Sequence, residues 1–221
     1  MTSERSKVSA VVKDALIIVD VQNDFLPGGA LPVPHGDEVI AIANRLSDAF
    51  DLVVATQDWH PANHGSFAAS HPGRRVGDLI DLNGLPQILW PVHCVQGSFG
   101  AEFATGLLTS HFSRIFRKGT DPMTDSYSGL FDNGHRRSTG LGKFLRAEGA
   151  TTAYIMGLAT DYCVKFTALD AIAAGFDVYL IQDGCRGVEL KFGDVDQAVE
   201  EMRRGGAEMI SSTEVRAVRR R

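Results

Sequence analysis

The amino-acid sequence predicts an α/β protein in which helices cover both faces of a parallel β-sheet. Two observations support this prediction. Short, continuously apolar runs alternate along the chain with segments of helical periodicity. Strands that are apolar on both sides are typical of parallel sheets buried on both faces. The chain of 221 residues, 44% hydrophobic and 22% charged, is also large enough to bury such a core.

Six apolar runs are the predicted strands, and four periodic segments are the predicted helices. The strands are residues 15–21, 52–56, 114–117, 152–156, 178–182 and 207–210. The helices are residues 37–50, 140–148, 162–174 and 195–204. We expect one domain over residues 1–221, with flexible tails at 1–12 and 215–221.

Residues 57–100 interrupt this alternation with a long segment rich in His, Pro, Gly and Asn. Long irregular segments within a domain are usually functional or disordered, and the aromatic residues Trp59, Phe67, Trp90 and Phe99 disfavour disorder here. The segment follows the strand at 52–56. We therefore expect it at the carboxyl edge of the sheet, where α/β proteins bind ligands.

Charge and composition exclude several classes of protein. With 22 basic and 27 acidic residues the net charge is −5, which does not indicate a nucleic-acid-binding protein. No apolar run approaches the roughly 18 residues needed to span a membrane, and the first seven residues are polar, unlike a signal peptide. We expect a cytoplasmic protein without membrane contacts, whose terminal arginines (Arg216, Arg219, Arg220 and Arg221) form a solvated tail.

Three cysteines, too few and odd in number, indicate no disulfide framework. Cys163 lies where a strand and a short turn lead into a predicted helix. A helix N-terminus lowers the pKa of a thiol, and its N–H groups can hold an oxyanion. An inert buried cysteine is the alternative, and it is our expectation for Cys94 and Cys185.

Asp20 and Lys118 each follow a predicted strand. A carboxylate at the end of a buried strand is costly unless it is paired or belongs to a site, although an Asp there also commonly caps a turn. A lysine at a strand end is usually exposed to solvent. If it were buried beside a carboxylate or thiol, it would act as a fixed positive charge or a proton donor.

Four of the seven histidines lie between positions 60 and 93. Asp58 and His60 follow the strand at 52–56 and can converge on one metal ion, while His64, His71 and His93 are further candidates. Aspartate and imidazole ligands suit zinc, iron or manganese, and the residue types do not choose among them.

Five motifs in order resemble the isochorismatase-like cysteine hydrolases, and within them the nicotinamidases. They are VDVQNDF at 19–25, QDWHP at 57–61, WPVHC at 90–94, FRKG at 116–119 and GLATDYCV at 157–164. The resemblance extends from about residue 15 to residue 210. It implies a three-layer α/β/α fold with a six-stranded, mainly parallel sheet.

The resemblance also implies roles for individual residues. The catalytic triad would be Asp20, Lys118 and Cys163, and the ligands of a divalent metal would be Asp58, His60 and His93. The resemblance supports His64 only weakly as a further ligand, and His71 less.

In that family a cis peptide bond, here between Leu158 and Ala159, precedes the nucleophile. The N–H groups of Ala159 and Cys163 would form the oxyanion hole. Phe25, Trp90 and Tyr127 would enclose the substrate. Asp161 would support the turn without a catalytic role.

The implied activity is metal-dependent hydrolysis of nicotinamide to nicotinate and ammonia through a thioester, as a step of NAD salvage. Zinc is the favoured metal, and pyrazinamide is a candidate second substrate. Relatives occur as monomers and as homo-oligomers. Three alternatives stay open: a vinyl-ether hydrolase or N-carbamoyl amidase on the same fold, hydrolysis by metal-activated water with an inert Cys163, and a non-enzymatic metal or pyridine sensor.

Overall fold

A six-stranded parallel sheet is the centre of the computed structural model, which describes residues 13–219. The strands in chain order are β1 (Lys13–Val19), β2 (Leu52–Asp58), β3 (Leu79–Leu82), β4 (Leu85–Ile88), β5 (Arg114–Lys118), β6 (Ala150–Leu158), β7 (Asp177–Arg186) and β8 (Glu208–Ile210). The sheet has the order β5-β2-β1-β6-β7-β8, and all its pairings are parallel. All six predicted strands are found in it.

Helices cover both faces of this sheet. They are α1 (Glu38–Ser47), α2 (Leu141–Ala147), α3 (Lys165–Ala173), α4 (Asp194–Gly205) and α5 (Val215–Val218). The connection through α1 crosses the sheet in one direction, and those through α2, α3 and α4 cross it in the other. Because such crossovers are right-handed, the two sets of helices lie on opposite faces. The predicted three-layer α/β/α fold is confirmed.

The central strands β1 and β2 are apolar over residues 15–19 and 52–55, where neither face of the sheet meets water. In β1, every residue from Ala15 to Val19 is fully buried, and all seven residues of β2 are buried. Each buried Val, Leu or Ile contributes about 1.5–3 kcal/mol to folding. The polar residues at the carboxyl ends of these strands therefore lie at the edge of the buried core.

The structure differs from the predicted elements in several places, of which three bear on the site and the loop around it. The first strand ends at Val19 rather than at residue 21, because Asp20 adopts the left-handed conformation (φ 48°). A π-helical turn, Thr160–Val164, precedes α3, so the α-helix begins two residues after Cys163. The segment 57–100 also contains the antiparallel hairpin β3–β4. Asn83 and Gly84, both with positive φ, form its two-residue turn.

The C-terminal segment is built into the fold as far as residue 219. Val215 in α5 is buried, and Arg219 donates a hydrogen bond to Asp14 Oδ2 at 2.9 Å. A solvated tail is therefore wrong for Arg219. The predicted tail residues 1–12 and 220–221 lie outside the described residues. Between residues 13 and 219, no helix is both long enough and apolar enough to cross a bilayer.

Candidate active site

The candidate site lies at the carboxyl edge of the sheet. Asp20 follows β1, Asp58 and Lys118 are the last residues of β2 and β5, and Cys163 lies in the turn after β6. Because parallel strands all end at the same edge, residues far apart in sequence meet there. Asp58 and Lys118 are direct register partners.

Lys118 joins the three residues of the predicted triad. Its Nζ lies 2.9 Å from Asp20 Oδ2 and 3.3 Å from Cys163 Sγ. It also donates to the Ser126 carbonyl at 2.8 Å and to Asp58 Oδ1 at 2.5 Å. Its side chain is fully buried, so the usual expectation of an exposed lysine is wrong here. The structure brings Asp20, Lys118 and Cys163 together as the resemblance implies.

The surroundings of these groups set their protonation. Burial disfavours charge on Lys118, but Asp20 and Asp58 outweigh it and raise the pKa of the ammonium well above its ordinary value. Burial raises the pKa of Asp20 to about 6, against the opposing effect of Lys118. An Asp with a pKa near neutrality can accept and return a proton.

Cys163 rests as a thiol. Burial raises the pKa of Cys163 well above its ordinary value, more than Lys118 lowers it, and Asp20 adds to the increase. The expectation that a helix N-terminus lowers this pKa is therefore wrong. Desolvation is the largest cause of the increase, and the thiol precedes α3 inside the π-helical turn. A nearby base must then take the thiol proton, and Asp20 is adjacent.

The side chains of the predicted metal ligands Asp58, His60 and His93 converge, and the ring nitrogens that face Asp58 have a lone pair available for a metal. Nδ1–H of His60 donates to the Gly119 carbonyl at 2.9 Å, and Nδ1–H of His93 donates to the Pro91 carbonyl at 2.8 Å. Because a carbonyl only accepts, each neutral ring keeps its lone pair on Nε2. These Nε2 atoms lie 3.6 and 4.0 Å from Asp58 Oδ2.

This donor set fits a divalent cation. Burial opposes ionisation of Asp58, but nearby positive charge, chiefly the ammonium of Lys118, outweighs it and holds the pKa of the carboxyl below its ordinary value. One carboxylate and two imidazole lone pairs meeting in a buried place need a cation to balance them. Carbonyl groups that orient the rings are typical of metal sites.

The other two candidate histidines differ from each other. The His64 ring is buried, with its centroid 4.4 Å from that of His60. A nitrogen of His64, a nitrogen of His60 and a carboxylate oxygen of Asp125 lie within 4.8 Å of one another. His71 is half-buried and its Nε2 bonds to the Gly65 carbonyl at 2.7 Å, so His71 supports the loop.

A pocket opens beside Cys163 and the metal donor set. The three predicted substrate-binding residues line it, as do Ala159 and Cys163. Trp90 Nε1 donates to the Tyr127 hydroxyl at 3.1 Å, which fixes the two rings against each other. The pocket therefore combines aromatic rings with a few polar side chains, as sites for small planar ligands usually do.

The turn that carries Cys163 has the predicted form. The peptide bond between Leu158 and Ala159 is cis. The carboxylate of Asp161 accepts the N–H groups of Val188 at 2.9 Å and Glu189 at 2.8 Å. Asp161 therefore fastens the turn to the segment that supplies the pocket residue Val188, in agreement with a supporting role.

Sequence reasoning missed several residues of the site. Thr56 donates to Asp20 Oδ1 at 2.6 Å, Ser126 accepts from Lys118, and Asp125, Leu31 and Tyr162 line the pocket. Thr56 could have been found, because it is a polar residue near the end of an otherwise apolar strand. Asp125 and Ser126 lie in an irregular segment after β5, whose path has no periodicity to predict it.

Comparison with known proteins places the chain in a family. The model of the isochorismatase domain matches residues 14–214. The nicotinamidase of Escherichia coli (strain K12) is 50% identical over 197 residues, which are 87% of this chain and 92% of the relative.

Two solved structures have the same fold. A nicotinamidase/pyrazinamidase from Acinetobacter baumanii superposes with a TM-score of 0.89 at 45% identity, covering 92% of this chain and 98% of the other. The pyrazinamidase of Pyrococcus horikoshii, solved in complex with zinc, gives a TM-score of 0.74 at 41% identity, covering 90% and 99%. With the family model matching nearly the whole described chain, this protein belongs to the isochorismatase family.

Proposed function

We propose that this chain is a metal-dependent cysteine amidohydrolase that converts nicotinamide to nicotinate and ammonia. The observation that carries the proposal is the contact of one buried ammonium group, on Lys118, with both Asp20 and Cys163 at the wall of an aromatic pocket. The names of the relatives supply the substrate class.

The first half of the reaction forms a thioester. Asp20 takes the proton of the Cys163 thiol, and the ammonium of Lys118 stabilises the thiolate. The thiolate then attacks the amide carbonyl carbon. The N–H groups of Ala159 and Cys163 donate to the oxyanion that develops. Asp20 gives its proton to the leaving ammonia as the C–N bond breaks.

The second half uses the same carboxylate again. Asp20 takes a proton from a water molecule, and the resulting hydroxide attacks the thioester carbonyl carbon. The C–S bond breaks, nicotinate leaves, and the proton returns to the sulfur. A pKa of about 6 suits a group that must act as base and acid in turn near neutral pH.

Asp58, His60 and His93 would hold the metal. When bound there, a divalent ion supplies a Lewis acid for the pyridine nitrogen. Phe25, Trp90 and Tyr127 enclose the ring. We favour zinc, as in the Pyrococcus horikoshii structure, with iron and manganese as alternatives.

In the cell, this reaction would return nicotinamide to NAD salvage in the cytoplasm. Pyrazinamide, a ring amide of similar shape, would be a second substrate, in line with the name of the Acinetobacter relative.

Ammonia release from nicotinamide and from benzamide tests the proposal. Benzamide has the same amide but no ring nitrogen for the metal, so we expect rapid release from nicotinamide and slow release from benzamide. Equal rates on the two amides would contradict the binding mode, and no release from nicotinamide would contradict the function. The same assay with nicotinate formation followed in parallel separates hydrolysis from simple binding by a sensor.

A further inference from the structure

The proposed function leaves the buried residue His64 without a role. Its side chain has no solvent exposure and lies in the loop after β2. The ring centroid is 4.4 Å from that of His60 and 5.6 Å from that of Phe67. Buried polar groups normally have hydrogen-bond partners, so we expect a partner for each nitrogen of this ring.

Contacts with Ser66 determine the tautomer of His64. The backbone N–H of Ser66 donates to Nδ1 at 3.2 Å, and the Ser66 hydroxyl lies 2.7 Å from the same nitrogen. Because a backbone N–H can only donate, Nδ1 must be the acceptor. The neutral ring therefore carries its hydrogen on Nε2. This is the opposite tautomer to His60 and His93, whose Nδ1 atoms donate to carbonyls.

The Nε2–H group of His64 meets no acceptor at hydrogen-bond distance and angle among residues 13–219, although the Asp121 backbone lies near enough to act on the pKa of this ring. A buried donor without an acceptor is energetically unfavourable, because it has given up its hydrogen bond to water. The nearby carboxylate of Asp125 already accepts from the Ser126 N–H at 2.8 Å and from Gln87 Nε2 at 3.0 Å. An acceptor from outside the chain would satisfy this donor.

We propose that His64 is a positioning residue of the metal centre, whose Nε2–H donates to a water ligand of the metal. The proposal rests on the metal dependence in the proposed function. His64 itself does not coordinate the ion. Coordination through Nε2 would move the hydrogen to Nδ1, where the Ser66 hydroxyl could accept it but the backbone N–H of Ser66 would lose its acceptor and face another donor.

Two substitutions test the contributions of Nδ1 and Nε2 of His64 separately. In His64→Asn the shorter amide places a polar atom near the position of Nδ1 and none near Nε2. In His64→Gln the amide NH₂ reaches the position of Nε2 and keeps a donor there. His71→Asn is the matched control, since His71 lies in the same loop but its Nε2 already bonds to a carbonyl.

The measurements are zinc stoichiometry, zinc affinity by chelator competition, and the visible spectrum of the cobalt(II)-substituted protein, all without substrate. We expect one zinc per chain in every variant. In His64→Asn the affinity should fall about 10- to 100-fold, the usual effect of losing a group that orients metal ligands. His64→Gln should recover most of it, and the His71→Asn value should match wild type. The cobalt(II) band pattern should persist throughout.

Three results would overturn this proposal. Loss of stoichiometric zinc in both His64 variants, with the cobalt(II) spectrum changed as in His60→Asn, would make His64 a ligand. Wild-type affinity in His64→Asn would make it a bystander. Equal weakening in the Asn and Gln variants would rule out the donor role. Because no substrate is used, none of these results depends on whether nicotinamide is hydrolysed, which the ammonia assay tests separately.

Discussion

Lys118 links the nucleophile of the proposed mechanism to the proposed metal site through one ammonium group. Its Nζ contacts Asp20, Asp58 and Cys163 at distances between 2.5 and 3.3 Å. A single buried cation thus balances two carboxylates that would otherwise repel each other. Of the two, the proposed metal ligand Asp58 has a pKa below its ordinary value, whereas the pKa of Asp20 rises to about 6. The lower pKa suits the proposed metal ligand Asp58, and the higher pKa suits the proposed proton carrier Asp20.

The pKa of Asp20 predicts the acid limb of the pH–rate profile. Asp20 must be ionised to accept the thiol proton, so kcat/KM should fall as the pH drops through about 6. The Thr56 hydroxyl stabilises the ionised carboxylate, and Thr56→Val removes that bond. The pKa of Asp20 should then rise, and the limb should move to higher pH by about one unit, the equivalent of one hydrogen bond to a charged group.

The control is Thr167→Val, which changes a buried threonine that bonds to Gly129 outside the site. It should lower stability and leave the acid limb in place. Metal content measured across the same pH range shows whether loss of the ion moves the limb instead. An unchanged limb in Thr56→Val would contradict the role of Asp20 as the titrating base.

At the scale of elements, the turn after β5 packs closely against the His60 ring. Gly119 has a φ of 63°, and a Cβ there would run into that ring. The same residue offers the carbonyl that orients His60. Gly119→Ala should therefore displace the ring and weaken zinc binding at least about tenfold, measured by chelator competition.

Gly106→Ala is the matched control, because Gly106 has a φ of 94° and open space around its Cβ position. It introduces comparable backbone strain without touching the site. Zinc affinity should stay at the wild-type value in that variant. Equal losses in both variants would mean that strain alone is responsible, and the fit between Gly119 and His60 would not matter.

The elements also show how far the sequence predicts this structure. The strands were predictable because burial on both faces makes them continuously apolar, and their polar end residues then pointed to Asp20, Asp58 and Lys118. The hairpin β3–β4 was missed although Asn83 and Gly84 are a strong turn pair, because Leu79–Leu82 is short and Asp81 interrupts its apolar residues. The raised pKa of Cys163 was not predictable, because it depends on how deeply neighbours bury the thiol.

At the scale of the whole molecule, the site lies where the direction in which the chain crosses the sheet reverses. Chain connections from β1 run toward β2 and β5, whereas those from β6 run toward β7 and β8. The site therefore opens between β1, which Asp20 follows, and β6, which leads to Cys163. A crevice at such a reversal is where open α/β sheets bind their ligands. The topology thus accounts for the proposed base and the proposed nucleophile lying side by side.

The C-terminal segment packs against the start of β1 and against the connection between α1 and β2. Arg219 bonds to Asp14 and the Ala49 carbonyl, and its guanidinium lies 4.2 Å from the Phe50 ring centroid. Arg219→Ala should lower the free energy of unfolding by about 1 kcal/mol, because a partly exposed ion pair and a cation–π contact each contribute up to that amount. Denaturant unfolding measures this value.

Turnover should be unaffected by Arg219→Ala, since no contact of Arg219 reaches the site. The exposed Arg216 is the control, and Arg216→Ala should change the unfolding free energy by less than about 0.5 kcal/mol. A reduced kcat in Arg219→Ala at unchanged stability would contradict a purely structural role.

The central claim is that Cys163 is the nucleophile, and ammonia release by Cys163→Ala tests it most directly. Cys185→Ala, which alters another buried cysteine, is the matched control. The account predicts that Cys163→Ala folds and keeps one metal per chain but loses on the order of 10³-fold or more in kcat, while Cys185→Ala retains turnover. Turnover of Cys163→Ala at the wild-type rate would contradict the account and assign the hydrolysis to water activated at the metal.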